Sequence, residues 1–489
     1  MRYAIRPAAS ALPSLRHVDV IPVDQNGVRS FYVRDPLEFA TEPLVLGGAG
    51  LFILSRLDGR HSFDQVLVAL RREFPRTRIR AGQVRDLLNT LSERCYLDDE
   101  VAAARIGRLC DEFARARVRQ PWHAGSAYPD DERELAAMLD RFFAAAAAGT
   151  EAEPSADAGA ADRAGVAAAT GSGPAAAALA KREGGAGGNG RLAVNNRATR
   201  ASLASHVQPR GELAAIMCPH IDLRAGGETY PPAFTALAAE ARAPRPVELY
   251  VILGVAHNGG TRPGASFAIA CDKNYATPFG EAPTDRRLVG EWSRRAGRDV
   301  TDQQWVHRTE HSVEFPLLFL QYIQAHADLP RYEVVPVLLG GVDHYLQAGR
   351  DPLRAPEVKR EMAALRAAVA ASGKRACYLL SVDLAHIGPK FGDPERVDDA
   401  GAAACEQKDR HLLSFAERFD APGLTRTLHA DGNRRNVDAV SGLFSLYPLL
   451  AGCACRGSLL SYGQNRQPDT GSLVSYASMA FYHTPGAPE

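Results

Sequence analysis

The chain of 489 residues is longer than one hydrophobic core of ordinary size serves, so two domains are expected. Lys plus Arg equals Asp plus Glu at 57 each, which removes the bulk attraction behind non-specific nucleic-acid binding and argues against a nucleic-acid partner. The opening MRYAIRPAASALPSL has no continuous apolar stretch, no run long enough to span a bilayer occurs, and eight cysteines are too sparse for a disulfide scaffold; a soluble, unexported, cytoplasmic protein with reduced thiols and no membrane partner is expected.

The first unit is expected over residues 1 to 108. Two extended segments, HVDVIPV and SFYVRDP, precede Leu51, Ile53 and Leu54, which recur at helical spacing before an Asp58-Gly59 turn. Ser62 then caps a second helix with Phe63, Val66, Leu67 and Leu70 on one face, and QVRDLLNTLSERCYLDDE supplies a third helix with a short extended tail. This is a winged-helix-like pattern. The stretch resembles the PqqD-like peptide-recognition domains in its LxxxGxxIxxxxDGxxxxxEI layout, and the resemblance implies capture of a peptide by strand addition at a sheet edge. A small helical packing or dimerisation unit is the alternative.

The second domain is expected over residues 116 to 489. It begins with RQPWHAGSAYPDD, a turn rich in aromatics, and a helix with Leu135, Met138, Leu139 and Phe142 on one face. From about 145 to 205 the composition changes to Ala, Gly and Ser, too poor in apolar groups to offset the entropy of ordering. Because folded sequence precedes it, this stretch reads as a disordered insertion within the second domain.

Strand and helix then alternate: AAIMCPH, a helix after Tyr230-Pro231, ELYVILGVAH, a helix near Asp285, YEVVPVLLG, a helix from about Val358 to Ala371, and ACYLLSVDLAH. That alternation predicts an α/β three-layer sandwich with a mostly parallel central sheet. A helix in VDAVSGLFSLYPLL and two closing strands, GSLLSYGQ and GSLVSYASMAFYH, are expected to follow, the strands extending the sheet antiparallel. Three of the strands end on a histidine: His220, His257 and, three residues after Asp383, His386. The carboxyl edges of such a sheet line one crevice, so the three are expected to share a site.

Between these strands lies WVHRTEHSVEFPLL, in which His307 to His311 spells HxxEH, the inverted zinc-protease string. That chemistry needs both histidines within one helix, but Pro316 is tolerated only in a first turn. The helix is therefore expected to start near Ser312 as its N-cap, leaving His311 in the preceding loop for an acid–base or supporting role. Cys218 and the Gly226-Gly227 and Gly259-Gly260 pairs read as packing and turns, and Arg224 as a surface ion pair or an anion contact.

Six motifs in order, HAGSAY (His123 to Tyr128), PH (Pro219-His220), LGVAHN (Leu253 to Asn258), EHSVEFPL (Glu310 to Leu317), SVDLAHIG (Ser381 to Gly388) and the terminal SYASMAFYH, resemble the Memo family, which is similar in fold to the class III extradiol dioxygenases. By that resemblance His220 and His257 fall on metal-ligating histidines, while Asp383, His386 and His311 fall on site-lining, catalytic positions. The third ligand departs from the family: where Memo proteins carry Cys-Gly, this chain offers Asn436 and, two positions on, Asp438. Either Asp438 restores a carboxylate or the metal site has decayed, because an amide is a poor ligand. The resemblance implies Fe(II), with Zn, Cu or Mn as alternatives and none in a decayed site.

Two functions follow. One is a nonheme-iron dioxygenase-type, metal-binding protein acting on a small-molecule or peptide substrate. The other is a non-catalytic adaptor that captures a peptide or partner enzyme, since Memo relatives accompany radical enzymes in the AmmeMemoRadiSam system.

Overall fold

The computed structural model describes residues 11–25, 28–151, 211–261, 266–327 and 329–484. They divide into two compact units, 1–116 and 117–489. Most of the insertion expected at about 145 to 205 lies outside the described residues; its first part does not, because α5 continues as helix to Glu151.

In the first unit β1 (Asp19–Gln25), β2 (Val28–Arg34) and β3 (Leu44–Leu46) form an antiparallel sheet in that order. Four helices follow: α1 (Gly48–Leu54), α2 (Phe63–Glu73), α3 (Ala81–Glu93) and α4 (Glu100–Arg115). Ser62 caps α2 as expected, accepting from Gln65 N while the Gln65 side chain accepts from Ser62 N. Val66, Leu67 and Leu70 of α2 pack with Ile53, Leu54, Leu57, Val84 and Leu88 in the core of this unit. The expected extended tail is reduced to one bridge, Leu97 to Leu15, and α4 runs past the boundary expected at 108.

The second unit opens with β4 (Val118–Arg119) and α5 (Glu132–Glu151). Its central parallel strands are β5 (Leu213–Cys218), β6 (Leu249–Val255), β10 (Glu333–Leu339) and β11 (Ala376–Ser381), in the order β5-β11-β6-β10. The remaining strands of the sheet pair antiparallel at its flanks: β7 (Ala268–Ala270) on β10, β14 (Ser472–His483) on β5, and both β12 (His386–Ile387) and β13 (Cys455–Gln467) on β14. β8 (Asn274–Thr277) and β9 (Gly280–Ala282) make a separate small sheet with β4.

Helices cover both faces. Alternate residues Leu249, Val251 and Leu253 of β6 share a core with residues of α7 (Arg286–Ala296), α9 (Pro356–Ser372) and α12 (Ala439–Leu449). On the other face α5, α6 (Pro231–Ala239) and α8 (Glu314–His326) meet through rings: Phe319 stacks on Tyr230 and Phe234, and Phe143 on Tyr322. The mixed α/β fold with a large, mostly parallel sheet is thus the one the alternation predicts. Two further helices, α10 (Asp399–Glu417) and α11 (Ala421–Asp431), were not expected from the sequence.

The α8 start differs in detail. The helix begins at Glu314, with Pro316 in its first turn, and Ser312 is not its cap. Instead the Ser312 hydroxyl accepts from Val255 N and donates to Val255 O, tying this loop to the end of β6. Gly254 permits that approach, since a Cβ there would lie 2.5 Å from Ser312 Oγ. His307 sits in a short 3-10 turn, so it and His311 are not on one helix.

Candidate metal centre

Because β5, β11 and β6 are adjacent and parallel, their carboxyl ends lie side by side. His220 follows β5, His257 follows β6 and Asp383 follows β11. The loop before α8 adds His311, and the start of α12 adds Asp438. His220, His257 and His311 form a group whose ligand atoms all lie within 4.8 Å of one another and which could hold a metal ion. Their rings pack at centroid separations of 4.9 to 5.1 Å.

Asp438 Oδ2 lies 3.5 Å from His220 Nε2, 3.7 Å from His257 Nε2 and 3.9 Å from His386 Nε2. Asp438 occupies the N-cap position of α12 yet makes no side-chain cap bond, which leaves its carboxylate to face the histidines. Asn436 goes elsewhere: it is exposed, in the left-handed region at φ 48, and its carbonyl accepts from His386 Nδ1 at 3.2 Å. The carboxylate and the amide are therefore separated by the local backbone, and only the carboxylate joins the histidines.

Each imidazole is aimed by an acceptor on its Nδ1. Glu310 Oε1 lies 3.0 Å from His257 Nδ1, the Ser381 carbonyl 3.0 Å from His220 Nδ1, and the Leu384 and Asn436 carbonyls 3.2 Å from His386 Nδ1. An acceptor on Nδ1 orients the rings of His220, His257 and His386 so that Nε2 turns toward Asp438, and a cation taking the place of the Nε2 proton would find the arrangement metal-binding histidines use. Glu310 is itself held by the backbone N–H groups of His257, His311 and Ser312, and approaches His311 Nδ1 at 3.2 Å. Asp383 Oδ1 accepts from the N–H groups of His220 and Ile221, and its Oδ2 stands 3.7 Å from His220 Nε2.

In the sequence Glu310 stands only as a member of the HxxEH string and of the EHSVEFPL motif, with no role of its own. Its role in aiming His257 was legible in nothing local, because 53 positions separate the two residues. A buried acid beside a histidine in a loop is the one signal that could have suggested it.

The electrostatics favour a cation. Burial lowers the affinity of His220 and His257 for a proton, but Asp383 beside the first and Glu310 beside the second, each joined by Asp438, outweigh it and raise both above the ordinary histidine range. His311 goes the other way: burial holds it well below that range, opposed by Glu310 and reinforced by His257 and His220. Asp438 is raised by burial, yet contacts with His220 and His257 hold its carboxyl below the usual carboxylate range. Donors bound at about 2.0 to 2.2 Å to one ion stand roughly 3 to 4 Å apart, and the Asp438 separations from His220 and His257 fall in that interval. The residues present fit a divalent cation.

A second buried cluster supports the His311 loop. Arg119 pairs with Glu314, and donates through Nε to His307 O at 3.0 Å and through Nη2 to Glu310 O at 2.9 Å. Glu314 also accepts from Tyr128 OH and from the N–H groups of Trp122 and His123. The HAGSAY segment is thus fastened to the start of α8.

Sequence comparison bears on the same residues. Residues 194–480 match the family described as Memo-like protein. The chain belongs to that family. A Memo family relative from Aquifex aeolicus, named MEMO1 family protein, is 23% identical over 473 residues, covering 96% of this chain and 100% of its own length. MEMO1 family proteins of Thermus thermophilus and Methanococcoides burtonii are 28% identical over 278 residues and 31% over 191, covering 56% and 39% of this chain and 74% and 59% of theirs. No helix among the described residues is long and apolar enough to cross a membrane. Arg224 pairs with Asp222 at 3.0 Å on the surface, the ion-pair alternative of its reading, and Cys218 is buried with its thiol pushed up by burial, in line with a packing role.

Proposed function

We propose that the second unit is a metal-dependent protein of the nonheme-iron dioxygenase type, with His220, His257 and Asp438 as ligands. The observation that carries this reading is Asp438, whose carboxylate forgoes its helix cap to face two aimed imidazoles. Two histidines and a carboxylate on one face suit Fe(II), Mn(II) or Zn(II) and leave positions open for substrate. Fe(II) bound there would supply a centre at which a small aromatic or peptide-borne substrate and oxygen meet. His311, kept neutral at neutral pH by burial, accepts a substrate proton; His386 and Asp383 line the same crevice. Metal analysis of the full chain after anaerobic purification tests the reading. About one equivalent of iron, lost in His220→Ala, is expected; equal metal content in wild type and His220→Ala defeats it.

A second reading concerns residues 1–116 as a PqqD-like peptide-capturing unit. Its support is that the exposed large apolar side chains of the described residues, Val20, Ile21, Val45, Val68 and Val101, all belong to this unit, three of them on the outer strands β1 and β3. Strand addition along β1 would place a peptide's backbone on its open edge. Hydrogen exchange on the full chain, with peptides encoded by neighbouring genes, should show protection in residues 19–25. No protection by any of them leaves the unit as a packing module.

A further inference from the structure

The turn that carries Asp383 and His386 and the loop that carries Asp438 hang on one buried carboxylate outside the site. Asp409 lies within α10 and is 0% exposed. Its Oδ2 accepts from Ser475 Oγ at 2.6 Å and Tyr462 OH at 2.9 Å, and its Oδ1 accepts from Arg435 Nη1. Ser475 Oγ in turn accepts from Ala385 N at 2.9 Å, and the Ser475 backbone bonds Leu384 N and Ala385 O. Arg435 O accepts from His386 N at 2.8 Å, and the segment after it bonds back to the turn through Asp438 N to Leu384 O and Ala439 N to Asp383 O. One carboxylate therefore grips both segments, one through β14 and one through Arg435.

A buried ion pair is a weak source of net stability, because desolvation offsets most of the attraction. Its value here is geometric. Ligands on two separate loops must be held to within about 0.5 Å to bind one ion well, and loops do not do this unaided. We propose that Asp409 is a positioning residue which, through Ser475 and Arg435, sets the separation between the Asp383–His386 turn and Asp438. The inference rests on the metal reading of this site, and one of its tests does not.

The test uses the full chain with labelled histidines. In NMR spectra recorded without added metal, Asp409→Asn and Ser475→Ala should shift the ring signals of His386 while leaving those of His307 in place, since His307 contacts Tyr275 and Ile269 instead. Titration with Zn(II) below the melting temperature should then show affinity reduced by about 10- to 100-fold, the scale of lost supporting contacts. Tyr462→Phe, which leaves both grips intact, should change affinity less than about 3-fold by the same scale. A purely structural role would lower the melting temperature without moving His386 or the affinity of the folded protein. If Asp409→Asn fails to fold, Ser475→Ala decides. An unmoved His386 in the folded variants overturns the proposal; wild type that takes up no Zn(II) or Fe(II) overturns the metal reading alone, and the histidine signals still decide the positioning.

Discussion

Asp438 Oδ2 stands 3.5 Å from Nε2 of His220, across 218 positions of chain, while Asn436 two residues earlier faces solvent. The two neighbours should therefore separate cleanly on substitution. Asp438→Ala is expected to weaken Fe(II) or Zn(II) binding by at least about 10- to 100-fold, with no loss of a helix cap because none is made. Asn436→Ala should leave metal affinity unchanged and lower stability by about 1 kcal/mol, because its left-handed backbone disfavours a Cβ without a local polar group. Chelator-competition titrations and melting temperatures of the two variants check this.

Glu310 aims His257 and holds the backbone N–H groups of His257, His311 and Ser312. Glu310→Gln should retain most of the fold yet reduce metal affinity by about 10-fold or more, since the neutral amide raises the basicity of His257 less. Glu310→Ala strands buried donors at about 1 to 3 kcal/mol each and should lower the melting temperature as well. Equal affinities for wild type and Glu310→Gln would remove Glu310 from the metal site.

His307 is fully buried between Tyr275 OH at 2.6 Å and Ile269 O at 3.0 Å, and burial lowers its pKa to about 4. Between the ordinary value of 6.5 and about 4 the unfolded chain binds a proton there that the native chain does not, so stability rises with pH across that window. Lowering the pH from 7 to 5 should cost about 2 kcal/mol through this group. His307→Gln, which keeps a donor and an acceptor, should remove that part of the pH dependence. Denaturant midpoints of both proteins at the two pH values measure it.

Arg119 and Glu314 form a pair with both side chains essentially inaccessible to water. Burial raises the Glu314 carboxyl, but Arg119 outweighs it and holds the group below its ordinary value. Arg119→Met should destabilise by about 3 to 5 kcal/mol, because the buried Glu314 carboxylate keeps its hydrogen-bond donors but loses its guanidinium counter-charge. The double variant with Glu314→Gln should recover much of that loss. A double-mutant cycle with no coupling would show that the pair does not fasten the HAGSAY segment.

The sequence by itself determined the layer order and the histidines. Apolar runs such as LYVILGV, short, rich in β-branched residues and alternating with segments of helical spacing, read as buried strands of a parallel sheet, and such a sheet brings the carboxyl ends of its strands to one edge whatever the loops do. His220, His257 and Asp383 follow from that. The start of α8 was legible to within two residues because Pro316 constrains any helix that contains it. What only the tertiary structure decided is which polar groups face one another. Asp438 and Asn436 are equally polar and two residues apart, and a left-handed turn at Asn436 sends one inward and the other out. Glu310 on His257, Arg119 on Glu314 and Asp409 on Arg435 are pairs 26 to 195 positions apart, and no local pattern encodes them. Helices α10 and α11 escaped for a related reason: their apolar positions are few, and α10 earns its place by the buried acid it carries as much as by its hydrophobic face. Periodicity reports where apolar surface must go, whereas the pairing of buried charges is fixed only once the sheet has brought distant segments together.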